Sequence, residues 1–181
     1  MCYNNFNNVG ASIASPQEVG MVRVLFVCHG NICRSTMAEF VMKNLVEEDG
    51  LEEEFHIESA GSTVYDPNSP VYPLAKDCLR RNGITNPEIN KKTSRGVVKR
   101  DRDDYDFILV AEDDNLDGVL RIIGNEANDK VYKILDFAED SKRKGKDIDD
   151  PWYTRNFDKA YSDIVLGCKG FFNYLKKEKL V

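Results

Sequence analysis

The chain has 181 residues, 41% of them hydrophobic, and a formal net charge of −6. Length and apolar content suit one globular domain with a sizeable core, while the acidic balance argues against general nucleic-acid binding. Five scattered cysteines do not make a secreted disulfide framework, and the two histidines, His29 and His56, leave little from which to build a metal site or a Ser-His-Asp arrangement.

Residues Met1 to Gly20 lack a basic start and a long apolar run, so they read as neither a signal peptide nor a membrane anchor. Their Asn, Ser and Gly content predicts a disordered extension over 1–20, with the folded domain spanning 21–181. A reducing, cytoplasmic setting without a membrane partner is expected.

The first predicted strand, 22–28, is apolar from Val24 to Val27 and runs into Cys28-His29-Gly30-Asn31-Ile32-Cys33-Arg34-Ser35. From Ser35, residues Met37, Ala38, Phe40, Val41 and Leu45 have helical spacing and predict a helix over 35–46. The intervening loop therefore sits at a helix N-terminus, where unpaired N–H groups and the helix dipole favour anions. Arg34 adds a planar fork matched to phosphate oxygens, and the same field favours Cys28 as a thiolate nucleophile. The segment reads as a phosphate-handling cysteine site.

Beyond it follow a strand at 55–60, a helix at 71–82, a strand at 106–110, a helix at 115–123, a strand at 130–134 and a helix at 157–179. Alternation of this kind predicts an α/β fold, a parallel sheet with helices on both faces. The last helix carries a wide apolar stripe in which Cys168 reads as core, as Cys78 does on its own helix, and His56 reads as structural. The basic residues Lys91, Lys92, Arg95, Lys99, Arg100 and Arg102 read as a solvated helix face.

Late in the chain, Asp149-Asp150-Pro151-Trp152-Tyr153 places a carboxylate directly before a proline. Proline holds the preceding residue extended, which aims the Asp150 carboxyl without a flexible hinge.

The Cys-x5-Arg-Ser spacing, with Gly30, Asn31 and Cys33 at their places and Met37-Ala38-Glu39 following, resembles the nucleophile loop of a low-molecular-weight protein tyrosine phosphatase. The segments Ile57–Ser62, Asp104–Val110 and Asp149–Tyr153 resemble later parts of that family in the same order, and the likeness covers 21 to about 181. It implies a three-layer, Rossmann-like fold with a four-stranded parallel sheet. It also implies hydrolysis of phosphotyrosine in proteins by a cysteinyl-phosphate route, with no cofactor or metal; a monomer is expected.

In that scheme Cys28 attacks phosphorus, Asp150 is the general acid and then the base, and Arg34 with the amides of residues 29–34 holds the phosphoryl oxygens. Ser35 donates to the Cys28 thiolate, Asn31 holds the loop, and Gly30 permits an unusual backbone conformation. The amides of His29, Ile32 and Cys33 belong to the cradle, and Ile32, Tyr65, Trp152 and Tyr153 line a slot for an aryl phosphate. Lys92 stands where many members carry a histidine, Glu112 where the family has aspartate, and Asn68 near its usual glycine. Two alternatives share features of the pattern, an arsenate reductase of the same fold and a non-catalytic phosphotyrosine-binding module. The first relays oxidation through further cysteines after the third strand, where this chain has Glu112-Asp113-Asp114-Asn115.

Overall fold

A computed structural model describes residues 20–181; apart from Gly20, the predicted N-terminal extension lies outside the described residues. Strand β1 (Val22–Cys28) leads to helix α1 (Arg34–Glu48), β2 (Phe55–Gly61), α2 (Pro73–Arg81), a single turn α3 (Asp101–Asp104), β3 (Phe107–Val110), α4 (Asp113–Ile123) and β4 (Val131–Lys133). The one-turn α5 (Pro151–Thr154) and the long α6 (Phe157–Lys177) complete it. All sheet pairings are parallel, as the alternating pattern predicts, and the strand order is β2-β1-β3-β4, the four-stranded sheet that the resemblance implies.

Period-two alternation along β1 splits the core into two layers. Val22, Val24, Phe26 and Cys28 face the layer that contains α1, α2 and α6, whereas Leu25 and Val27 pack with Val119 and Ile123 of α4 on the opposite face. Helix α6 comes very close to the turn at Ile134–Phe137, because a Cβ on Gly167 would stand 2.6 Å from the Ile134 carbonyl oxygen and one on Gly170 closer still to that of Phe137. Phe171 then meets Phe137 and Phe107 at ring distances of 4.9 and 5.1 Å. Phe171, fully buried, contributes roughly 1.5–3 kcal/mol, and Phe107 and Phe137 are partly buried against it.

The chain leaves β1 towards β2 on one side, and β3 pairs on the other. This is a topological switch point, and in open α/β sheets it opens a crevice at the strand's carboxyl end. Cys28 is the last residue of that strand. Cys78 and Cys168 are fully buried, as the helical stripes predict, and His56 stacks on Tyr105 at 5.8 Å.

The basic cluster is not a solvated helix face. Residues 93–97 instead run alongside the end of β2, with Gly61 N–H donating to the Arg95 carbonyl and Val97 N–H to that of Gly61 (2.8 and 2.9 Å). Lys92 and Arg95 turn inward to pair with Glu39, Glu58 and Asp101, while Lys91, Arg100 and Arg102 each form ion pairs at the surface. The reading fails at Lys92 and Arg95 because Glu39 and Asp101, both buried, and Glu58 of β2 draw these two cations inward.

Candidate active site

The loop between β1 and α1 has its carbonyls tied outward. Ser62 N–H donates to the Cys28 carbonyl (2.8 Å), Thr63 N–H to that of His29 (2.9 Å) and Tyr72 N–H to that of Ile32 (2.9 Å). In a trans peptide the C=O of one residue and the N–H of the next point in opposite directions. The amides of His29, Gly30 and Cys33 are therefore turned to the inside of the loop, a concave row of donors at the N-terminus of α1. The left-handed residue of the loop is Asn31 (φ 58°) and not Gly30, whose φ is not in the positive range. Asparagine tolerates that conformation because its side chain hydrogen-bonds locally.

Asn31 accordingly organises the interior. Its Oδ1 accepts from the Arg95 backbone N–H at 3.0 Å, and since an N–H can only donate, this contact fixes the amide's orientation. Nδ2 then donates to Ser35 Oγ at 3.0 Å and to Ser59 Oγ at 2.8 Å. Ser59 passes its own hydrogen to Glu39 at 2.6 Å. Ser35 Oγ, which accepts from Asn31, also forms a hydrogen bond with Cys28 Sγ, 3.0 Å away, and has its own proton to give to a thiolate there.

The sequence gives Glu39 and Ser59 no role, yet they set the direction of this chain of bonds, because a carboxylate can only accept. Glu39 is buried and held by Lys43 (2.6 Å) and Lys92 (3.1 Å). Lys92 also donates to the Ser59 carbonyl, so the lysine in the histidine position supports Asn31 through Glu39 and Ser59. Gly61 abuts the same loop: a Cβ there would stand 2.7 Å from the His29 carbonyl oxygen.

Arg34 is 1% exposed. Its Nη1 donates to the Ile148 carbonyl at 2.9 Å, and Nη2 donates to Glu112 at 2.8 Å and Asp150 at 2.7 Å. Burial alone would weaken this cation, but the Glu112 hydrogen bond and the charges of Cys28, Asp150 and Glu112 hold it above its ordinary pKa. Its Nε is buried with no hydrogen-bond partner among the described residues. Leaving such a donor unmet costs about 1–3 kcal/mol, and an anion's oxygen at the loop would satisfy it.

Asp150 is extended (φ −75°, ψ 113°), as expected of a residue before proline, and its Oδ1 accepts from Trp152 N–H at the start of α5. Its other oxygen faces Arg34. Asp149 points elsewhere, to Lys159 at 2.6 Å.

Above the loop lies a slot of about 270 Å³. Cys28, Arg34 and Asp150 line it together with the loop residues His29, Gly30, Ile32 and Cys33. The aromatic walls are Tyr65, Trp152 and Tyr153, with Tyr65 5.6 Å from the His29 ring and Trp152 braced edge-on by Tyr72 at 5.1 Å. Asn31 and Ser35 lie behind the lining, fully buried. Cys33 faces the slot as a thiol whose pKa burial raises strongly, with the Cys28 charge adding to it.

Cys28 and Arg34, from one loop, thus converge with Asp150 from a distant stretch of chain. Residues 23–181 match the family model described as low molecular weight phosphotyrosine protein phosphatase. The low molecular weight protein-tyrosine-phosphatase YfkJ of Bacillus subtilis is 35% identical over 159 residues, 88% of this chain and 99% of the relative. A low molecular weight phosphotyrosine protein phosphatase of Gallus gallus is 35% identical over 150 residues, 82% of this chain and 92% of that one. The crystal structure of YfkJ superposes with a TM-score of 0.82 at 34% identity, covering 88% of this chain and 98% of the other. A protein tyrosine phosphatase from Entamoeba histolytica gives 0.79 at 28% identity, covering 87% and 99%. With sequence and fold in agreement, the chain belongs to the low molecular weight phosphotyrosine protein phosphatase family.

Proposed function

We propose that the protein is a tyrosine phosphatase that hydrolyses phosphotyrosine in proteins, and aryl phosphates generally, in two displacements at Cys28. The observation that carries this reading is the convergence of Cys28, hydrogen-bonded to Ser35, with Arg34 and Asp150 in one aromatic-walled slot. The inward amides and Arg34 take the three phosphoryl oxygens, which displaces the Asp150 carboxylate from the guanidinium. Released from Arg34 at the mouth of the slot, that carboxyl is placed to donate a proton to the departing phenolate. Cys28 attacks phosphorus as the P–O bond to tyrosine breaks. Asp150, now ionised, removes a proton from the water that cleaves the P–S bond, and Ser35 stabilises the departing thiolate.

The same arrangement disfavours the alternatives. An arsenate reductase needs further cysteines after β3, and among the described residues the cysteine there is Cys168, fully buried in α6. A binding module has no use for Asp150. We read the protein as a cytoplasmic monomer without nucleic-acid or membrane partners, supported by a net charge of −6 and four free cysteines among the described residues. Among those residues no helix is long and apolar enough to cross a membrane.

Hydrolysis of p-nitrophenyl phosphate in the presence of a chelator tests the reading. Turnover is expected from the native chain and none from Cys28→Ser, which should still bind vanadate. Retained hydrolysis by Cys28→Ser would sink the mechanism.

A further inference from the structure

We propose that Arg155 selects substrates carrying a carboxylate side chain one or two residues from the phosphotyrosine. The inference rests on the phosphatase reading above and adds a class of substrate to it.

Arg155 follows the acid loop directly. It caps α5 in the left-handed conformation (φ 59°), with its N–H bonded to the Pro151 carbonyl at 3.0 Å. A non-glycine residue there is uncommon, and the cap turns the side chain back over the outside of the slot wall. The guanidinium lies 5.7 Å from the centre of the Trp152 ring, and Nη1 donates to the Tyr72 hydroxyl at 3.2 Å. These two contacts give an exposed arginine a set position.

Its charge is uncompensated in a way its neighbours' charges are not. Arg80 and Arg81 are ion-paired with Asp77 and Asp158 at 2.7 and 2.8 Å. Arg155 has no carboxylate partner in the described structure, and its field reaches into the site, where it opposes the rise in the Cys33 pKa. Beside it runs a cleft of about 450 Å³ lined by Leu74, Asn156 and Phe157 and by the neutralised Arg80–Asp77 and Arg81–Asp158 pairs, which leaves Arg155 as its unpaired cation in the described structure.

Geometry supplies the rest. Consecutive residues advance about 3.8 Å along a chain, so one or two positions from a tyrosine seated against Trp152 lead across the ring to the guanidinium. A carboxylate there pairs with a planar fork that has donors to spare. The molecule as a whole is acidic, so any preference for acidic peptides must come from a local cation.

The test uses three phosphotyrosine peptides that differ only in having Glu, Gln or Lys beside the phosphotyrosine. For an exposed ion pair the native enzyme should favour the Glu over the Gln peptide in kcat/KM by about two- to fivefold at low salt. The ratio should fall to about one in molar salt. Arg155→Asn, which tolerates the same backbone, should abolish the ratio, and Arg155→Glu should reverse it towards the Lys peptide. Equal rates on all three peptides with the native enzyme would overturn the proposal. So would variants that slow every peptide by one factor, since Arg155 would then only brace Trp152. Failure of the native enzyme to hydrolyse any of the peptides would instead remove the phosphatase reading, and this proposal with it.

Discussion

Asp150 Oδ2 stands 2.7 Å from Arg34 Nη2, so the proposed acid and the proposed phosphate-binding cation are partners of each other before substrate arrives. Asp149, its neighbour, is instead bound to Lys159, whose hydrogen bond holds the Asp149 carboxyl below the usual range. Asp150→Asn should therefore lose on the order of 10²–10⁴ in rate on phosphotyrosine, while Asp149→Asn loses little. The Asp150→Asn penalty should be smaller on p-nitrophenyl phosphate, whose leaving group departs with less protonation, provided that formation of the cysteinyl-phosphate limits the rate. Steady-state kinetics on both substrates, with a burst measurement to locate the slow step, check this. A larger loss from Asp149→Asn would reassign the acid.

Glu112 is the second carboxylate on Arg34, and it can stay in place when phosphate displaces Asp150. Glu112→Gln removes the charge and keeps the shape. A buried hydrogen bond to a charged group contributes about 1.5–3 kcal/mol, so vanadate affinity should drop roughly 10- to 100-fold. Titration calorimetry with vanadate measures it; unchanged affinity would show that the Ile148 carbonyl suffices to orient the guanidinium.

Gly61→Ala probes the loop from behind. The new methyl would meet the His29 carbonyl oxygen at 2.7 Å and the Asn31 nitrogen at 3.2 Å, so the nucleophile loop must move. Overpacking of this kind costs about 1–3 kcal/mol, and kcat should fall well beyond what that loss of stability implies. Thermal unfolding beside kinetics separates the two, and a variant that keeps full kcat would show that the loop yields without cost.

Cys33 faces the slot as a thiol. Peroxide should oxidise Cys28 to the sulfenic acid, and Cys33 should then attack that sulfur, forming a disulfide with release of water. Peptide mass mapping should find the Cys28–Cys33 link, reversible by dithiothreitol. Cys33→Ser should lose activity for good, and equal recovery of both proteins would refute a protective role.

Much of this architecture was legible in the chain. Strand 22–28 stands as the apolar run predicts, and α1, α4 and α6 begin within two residues of their expected starts: α4 and α6 carry a clear apolar face, while α1, buried on all sides from Arg34 to Met42, is marked by the loop that precedes it. The short turns α3 and α5 were not foreseen, since one turn is too brief to show a period. Cys28, Arg34 and Asp150 could be named because two lie at fixed spacing in one loop and the third precedes a proline. Glu39, Ser59 and Gly61 could not, because their roles depend on register: β2 must pair beside β1 before Ser59 meets Asn31 or Gly61 meets His29. Lys92 shows the same limit, since only the pairing of residues 93–97 with β2 brings it to Glu39. Gly30 was the expected site of unusual backbone, and the strain fell one residue later, on a side chain with three partners to hold it.

The contacts that shape the nucleophile loop reach far along the chain, to Ser59, Arg95, Glu112, Ile148 and Asp150. None of these partners is supplied by the loop itself, so the cradle needs the chain from Cys28 to Asp150 folded together. Activity and global folding are consequently one cooperative event. Loss of turnover with denaturant should follow the same curve as loss of secondary structure, which makes phosphate-ester hydrolysis a gauge of the intact domain as a whole.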